Sequence, residues 1–395
     1  MADYKIGVDL VLKDMASGNL KSFKKMVSDI KPDFGALAMA TGAATVAMGL
    51  FGKSAIESAS KFETSMAEIA TLVDITQVNI QGMSADIMDL AEIVPQTANQ
   101  LAKGMYQIIS ASIPASEAMG VLEVSAKAAT AGLSDTFTAV DSITTVLNAY
   151  GLQAEDAGKI SDLMFQAIKL GKTTFPELAS AIGTVATPAA KAGVAIEEIM
   201  AAISTMTRKG LDSATATTYL RQVIMSILSP SSEATKLAKE LGFEFSATAL
   251  KTKGLSNFLA DMDKVVGNNS EALTTLFGNV RAFTGVLTIA GDGAEDFNKD
   301  ITAMYSSAGS TADAYDKIMG THDATMKILS STWENFMIQL GTIFIPLATT
   351  VAKKVSDIIG QIKDWTEGNE GLIKIIGIAG GGGLTLIAGM AGLGF

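Results

Sequence analysis

The chain has no cysteine and a single histidine, His322. Without thiols there can be no disulfide, no thiolate nucleophile and no cysteine-ligated zinc. One imidazole removes every two-histidine metal site and leaves a histidine-based catalytic triad without support. A metal- or cysteine-dependent peptidase lobe is excluded on the same grounds. His322 itself, between Thr321 and Asp323, reads as a solvated residue at a helix start. Aromatic residues are scarce at 6%. Basic residues are outnumbered, 30 Lys and Arg against 41 Asp and Glu, for a net charge of −11. So acidic a chain does not wrap nucleic acid, because DNA affinity comes largely from Lys and Arg displacing phosphate counterions. The start, Met-Ala-Asp-Tyr-Lys, lacks a signal peptide's basic head and apolar middle, which places synthesis and early life in the cytoplasm.

What remains is aliphatic. Of 395 residues 48% are hydrophobic, and Ala, Met, Ile and Leu carry that share, with 20 Met and 37 Gly. High Ala and Met with few aromatics favours helix over sheet, and the length allows two or three domains. The expected class is all-α, with a multi-helix core built from helical hairpins and long flanking helices. One short strand is expected over residues 4–12, where Tyr4, Ile6, Val8, Leu10 and Leu12 alternate. Pro32 then suits the first turn of a helix. From Phe34 to Gly52 there is no charge, and Gly35, Ala38, Gly42, Thr45, Gly49 and Gly52 fall on one heptad seam. Such a stripe lets two helix backbones approach closely, in water or in lipid.

Residues 60–300 read as helices joined by short Gly, Pro and Ser breaks. Ala131-Gly132-Leu133, a helix and Tyr150-Gly151-Leu152 parallel Ala192-Gly193-Val194, a helix and Lys209-Gly210-Leu211. This predicts a duplicated helical unit of roughly sixty residues, longer than the common short helical repeats. In the first copy Ser134 is the expected N-cap, and Phe137, Val140, Ile143 and Leu147 form the buried stripe. In the second the stripe is Ile196, Ile199, Ile203 and Met206, with Glu197 and Glu198 in the solvated first turn. Met164, Met200, Met206 and Met225 are expected to fill the core. Downstream, Trp333, Phe336, Leu340, Phe344 and Leu347 mark a long amphipathic helix with a kink at Pro346. The last 21 residues, Ile375 to Phe395, carry no charge but eight glycines, too many for a stable single membrane span.

Two motifs carry no chemistry. Ala47 to Ser54 fits a loose phosphate-loop pattern, but it follows an Ala-rich helix rather than a strand, so no phosphate cradle is expected. The acid pairs Glu155/Asp156 and Glu197/Glu198 lack any sign of the hydrophobic cleft that raises a catalytic carboxyl. No enzyme activity, cofactor or metal is expected.

Several ordered segments resemble the tail tape measure proteins of tailed phages and related contractile particles. They begin with Lys61-Phe62-Glu63-Thr64-Ser65-Met66 and Thr97-Ala98-Asn99-Gln100-Leu101. They continue with Leu147-Asn148-Ala149-Tyr150-Gly151-Leu152 and Thr174-Phe175-Pro176-Glu177-Leu178-Ala179, and with Leu220-Arg221. Trp333-Glu334-Asn335-Phe336 is similar to that family's post-core helix. The resemblance covers about two thirds of the chain, and it departs from the family at Arg208-Lys209-Gly210-Leu211-Asp212, where a second glycine is usual. It implies a scaffold in the lumen of the virion tail, made in the host cytoplasm. Tube subunits would polymerise around it, and it would later assist DNA delivery at the host membrane. The implied partners are the tail tube protein, baseplate or tail-tip hub proteins and tail assembly chaperones. A homo-oligomer, by symmetry a trimer, is expected, as is host membrane contact, without sequence-specific nucleic acid binding. The competing expectation is a membrane-active or pore-forming helical protein, based on residues 34–52 and 375–395. The expected layout is an N-terminal segment at 1–31, an Ala/Gly-rich helix at 32–59 and a core at 60–300. Post-core helices follow at 301–370, with an apolar Gly-rich end at 371–395. Fully helical, the chain would reach about 590 Å at most, which predicts further sequence beyond Phe395.

Overall fold

The computed structural model describes residues 43–267 and 269–368. Sixteen α-helices lie among the described residues, and no strand. They are α1 (Ala43–Ala70), α2 (Ile80–Ile93), α3 (Ala98–Ser110), α4 (Ala115–Ala131), α5 (Thr136–Tyr150) and α6 (Ala157–Leu170). Next come α7 (Phe175–Ala192), α8 (Ile196–Arg208), α9 (Ser213–Leu228), α10 (Ser232–Glu240) and α11 (Ala247–Val266). The rest are α12 (Ser270–Phe277), α13 (Val280–Ile289), α14 (Ala294–Met304), α15 (Ser310–Met319) and α16 (His322–Gly368). The all-α expectation holds. The strand expected over residues 4–12, the helix start at Pro32 and the apolar end at 375–395 lie outside the described residues.

The chain divides into two compact units. One runs from Lys61 to Phe336, and the other combines the residues before Lys61 with those from Met337 onward. Both α1 and α16 contribute residues to each unit.

In the larger unit, alternate helices pack side by side. α3 meets α5, α5 meets α7, α7 meets α9 and α9 meets α13, forming one row. The second row is α4, α6, α8 and α14, with α15 against α4 and α6. Each helical hairpin therefore adds one helix to each row. The row helices start at Ala98, Thr136, Phe175 and Ser213, which are 38, 39 and 38 residues apart. Each start is capped by a short polar side chain, Thr97, Asp135, Thr174 and Asp212, accepting the N–H three residues on. Thr97 and Thr174 complete reciprocal capping boxes with Gln100 and Glu177. The repeat is therefore shorter than the expected sixty-residue unit. That expectation aligned α5, a first-row helix, with α8, a second-row helix, because both are flanked by glycine turns.

Those turns share one hydrogen-bond pattern, in which a residue at positive φ lets the following N–H reach back five residues. Leu152 N donates to Leu147 O at 2.9 Å over Gly151, and Val194 N to Ala189 O at 3.0 Å over Gly193. At the end of α4 the left-handed residue is Leu133, φ 50°, and not the adjacent Gly132. Gly132 is needed for another reason: a Cβ there would lie 2.5 Å from Cβ and Cγ of Phe175. The turn shifts by one residue, and Asp135 rather than Ser134 caps α5.

The core is aliphatic. Val140, Ile143 and Leu147 of α5 are fully buried, as are Ile199, Ile203 and Met206 of α8. Met164 and Met200 are core residues too. Phe137 and Met225 are not; they are 52% and 41% exposed. Four of the few aromatics, Phe243, Phe245, Phe258 and Phe277, form one cluster of tilted and edge-to-face rings with centroids 5.2–6.4 Å apart.

α16 departs most from its sequence pattern. The expected stripe faces outward at its start, where Trp333 is 51% exposed. Phe336, Leu340 and Phe344 are half-buried. In the larger unit its buried residues are Ala324, Ser331 and Asn335. Ser331 Oγ donates to Ala91 O (2.7 Å) or Gln96 O (2.8 Å), and Asn335 Nδ2 donates to Met88 O at 3.0 Å. Carbonyls at and beyond the end of α2 are thus satisfied by small polar side chains, which a hydrophobicity pattern does not register. Pro346 lies inside the helix.

In the smaller unit α1 and α16 pack closely at small residues. A Cβ on Gly341 would fall 2.0 Å from Ala55 O and 2.5 Å from Ala59 Cβ. Ala55 and Ala59 are themselves buried.

Candidate functional site

Two buried carboxylates of the larger unit lie side by side at the start of α8. Glu197 and Glu198 were expected in a solvated first turn, yet they are only 7% and 8% exposed. Lys159 of α6 reaches Glu197 Oε1 at 2.7 Å. Glu198 reaches across to α11, which is broken at Gly254 (φ 75°, ψ 172°). Its Oε2 accepts Leu255 N at 3.1 Å and its Oε1 accepts Ser256 N at 2.9 Å. The carboxylate thus caps the second half of α11 from another helix. The geometry requires glycine, because a Cβ at 254 would lie 3.0 Å from both carboxylate oxygens.

Two phenols border the acid pair. Tyr150 Oη is buried without a hydrogen-bond partner among the described residues. Burial, and then the charges of Glu197 and Glu198, push its ionisation far above the ordinary phenol range. Tyr305 is raised by the same causes, with Lys159 opposing. A cavity of about 430 Å³ opens beside Glu198, lined among others by Ser256, Asn257, Asn298 and Tyr305.

Two further carboxylates act in the same manner. Asp162 accepts Gly309 N and Thr311 N, both at 2.8 Å, and so ties the start of α15 to α6. Buried Asp300 accepts Thr205 Oγ1 at 2.6 Å and Arg208 Nη2 at 2.8 Å, tying α14 to α8. In each case the charge is spent on N–H, O–H or guanidinium donors. Glu197 is neutralised by Lys159, and both oxygens of Glu198 are occupied by amides. The arrangement engages these four carboxylates in holding breaks in the helical stack together.

Adjacent acids opening a helix ordinarily read as dipole partners in water, so the buried role was missed. The available signal was Gly254, an isolated glycine inside an otherwise helical stretch.

Of the expected packing seam, Gly35, Ala38 and Gly42 lie outside the described residues. Thr45, Gly49 and Gly52 lie on α1. A Cβ added at Gly52 would meet nothing within 4 Å. The phosphate-loop-like residues 47–54 are part of α1. His322 is exposed and begins α16. Among the described residues there is no group of three or more acids or imidazoles able to hold a metal.

Residues 84–278 match the profile of the family described as phage-related minor tail protein. The chain is 24% identical over 298 residues to a probable tape measure protein of Clostridium phage phiCD119, covering 73% of this chain. It is 24% identical over 361 residues to the tape measure protein of Pneumococcus phage Dp-1, covering 89%. The chain is thus similar to phage tail tape measure proteins over most of its length. It is also 25% identical over 260 residues to a probable tape measure protein of Escherichia phage P2. The chain spans about a third of the length of these curated relatives, 32%, 31% and 31% respectively. No solved structure matches it. Among the described residues no helix is long and apolar enough to cross a membrane.

Proposed function

We propose that this chain is the folded core of a tail tape measure scaffold, lying in the lumen of the tail tube and setting tube length during assembly. The observation that carries this reading is the family match over residues 84–278, which runs from α2 to α12 and takes in the stacked helices α3 to α9. The buried carboxylates favour a mechanical role, because each is committed to holding one helix against another. Length would be measured by helical chain outside the compact unit, advancing about 1.5 Å per residue.

The tail tube protein, the baseplate or tail-tip hub and the tail assembly chaperones are the proposed partners. A homo-oligomer, three copies in a sixfold tube, is proposed on symmetry grounds. Met326, Leu329 and Trp333 support it: they are 49%, 60% and 51% exposed and spaced by three and four along α16. The seam at Gly35, Ala38, Gly42, Thr45, Gly49 and Gly52 is proposed as a second helix-to-helix contact. Assistance to DNA delivery at the host membrane, from the uncharged segments 34–52 and 375–395, belongs to the same proposal. Deleting helical sequence outside Lys61–Phe336 from the full-length gene tests the scaffold reading. Shortened tails on electron micrographs support it, and tails of unchanged length refute it.

A further inference from the structure

The segment from Gly309 to Phe336, which comprises α15 and the start of α16, sits on the stacked rows almost without apolar burial. Five of its residues are buried, Ser310, Thr311, Ala324, Ser331 and Asn335, and only Ala324 is apolar. By contrast α5, with 15 residues, buries Ala139, Val140, Ile143, Val146 and Leu147.

Hydrogen bonds hold the segment instead. Besides Gly309 N and Thr311 N donating to Asp162, Ser161 Oγ and Thr311 Oγ1 lie 2.8 Å apart, and Lys169 Nζ donates to Ser310 Oγ at 3.2 Å. Further along, Tyr315 Oη donates to Ile93 O at 3.2 Å, and Asn99 Nδ2 to Glu334 Oε1 at 2.6 Å. The bonds from Ser331 and Asn335 to carbonyls at residues 88, 91 and 96 complete the seat. Water can take over such bonds at little net cost, whereas exposing apolar surface is opposed in proportion to its area.

The seat is also imperfect. Seven buried side-chain polar atoms have no partner among the described residues. Three of them, Gln96 Oε1, Asn99 Oδ1 and Asn335 Oδ1, belong to residues that bond across this seat. A cavity of about 500 Å³ also lies along it, between Ala324 and Lys327 of α16 on one side and Pro95, Thr97 and Leu133 on the other.

We infer that residues 309–336 form a polar strap that undocks as one unit from an otherwise folded stack and seats again, freeing the start of α16. Undocking exposes little apolar surface and returns Asn99 and Asn335 to water. Gly309, at φ 83°, supplies the hinge at the start of the strap. The inference concerns the chain's own conformational equilibrium and does not rest on the scaffold reading.

Because the chain has no cysteine, one introduced thiol reports alone. Ser331→Cys places it in the seat. Ser204→Cys is the matched control in α8, equally buried and likewise bonded to two carbonyls, Ala167 O and Met200 O. Both full-length variants are labelled under native conditions with dithiobis(nitrobenzoate). Position 331 should react at least about 100-fold faster than position 204, with a weaker dependence on urea. Adding Asp162→Ala, which removes the acceptor of Gly309 N and Thr311 N, should speed position 331 roughly tenfold and leave position 204 unchanged. Tyr315→Phe, a milder change, should speed it roughly threefold, and decides alone if Asp162→Ala does not fold. The inference is overturned if both positions label at one rate with one urea dependence, since the segment then opens only with the whole unit. It is equally overturned if neither added substitution speeds position 331, since the segment then does not move as one. Tail length plays no part in this readout, so failure here is distinct from failure of the scaffold reading.

Discussion

Replacing Glu198 by alanine removes the acceptor of two backbone N–H groups at the break in α11. Leu255 is fully buried, so water cannot replace the lost carboxylate, and an unsatisfied buried donor costs about 1–3 kcal/mol. Ser256 is half-buried and can recover part of its bond from solvent. The small void left by the side chain adds to the loss, for a total of about 2–4 kcal/mol. Glu198→Gln keeps one carbonyl oxygen and should lose only about 1 kcal/mol. Gly254→Ala should cost about 1–3 kcal/mol, because alanine disfavours φ 75° and its Cβ crowds both carboxylate oxygens. In the Glu198→Ala background the crowding disappears, so the two losses should fall short of additivity by about 1 kcal/mol. Urea denaturation of the full chain measures the totals, and amide exchange at Leu255 and Ser256 locates them. If Glu198→Ala shifts stability by less than about 0.5 kcal/mol and leaves exchange at those amides unchanged, the clamp is not structural.

Gly132→Ala should destabilise by about 1–3 kcal/mol through overpacking against Phe175, measurable as a lowered denaturation midpoint. Burial works against ionised Asp135, but bonds from Thr138 N and Oγ1 outweigh it and hold its pKa below the ordinary value. A carboxylate whose folded pKa is depressed contributes stability above its unfolded pKa of about 3.9 and loses it as pH falls through the folded value. Asp135→Ala should therefore cost about 0.5–2 kcal/mol at neutral pH, and the gap to the parent chain should close in strong acid. A gap that persists below that window would show that the cap acts through something other than its charge.

The all-α class was legible because aliphatic periodicity and low aromatic content are properties of whole helices. Buried positions such as Ile143 and Ile203 followed from spacing alone. The hairpin repeat was also written in the sequence, in the polar caps Thr97, Asp135, Thr174 and Asp212. It was obscured by glycines, which attract attention but end helices of both rows. The carboxylate network was not legible. Glu197 and Glu198 occupy positions that suit exposed acids, and only the approach of α6 and α11 buries them. Nor could spacing orient α16, since its inner face is held by hydrogen bonds from Ser331 and Asn335 to carbonyls at residues 88, 91 and 96. Gly132 shows the general difficulty. Its placement predicts a left-handed turn, whereas its role is to admit the Phe175 ring, a contact 43 residues away in sequence.

The measurement closest to the central claim is tube length as a function of chain length. Helical insertions of increasing size, placed outside Lys61–Phe336 in the full-length gene, should lengthen tails on electron micrographs by up to about 1.5 Å per added residue. Tails whose length is indifferent to the insertions, with the protein still present in the virion, would contradict a role exerted through extent and helix packing.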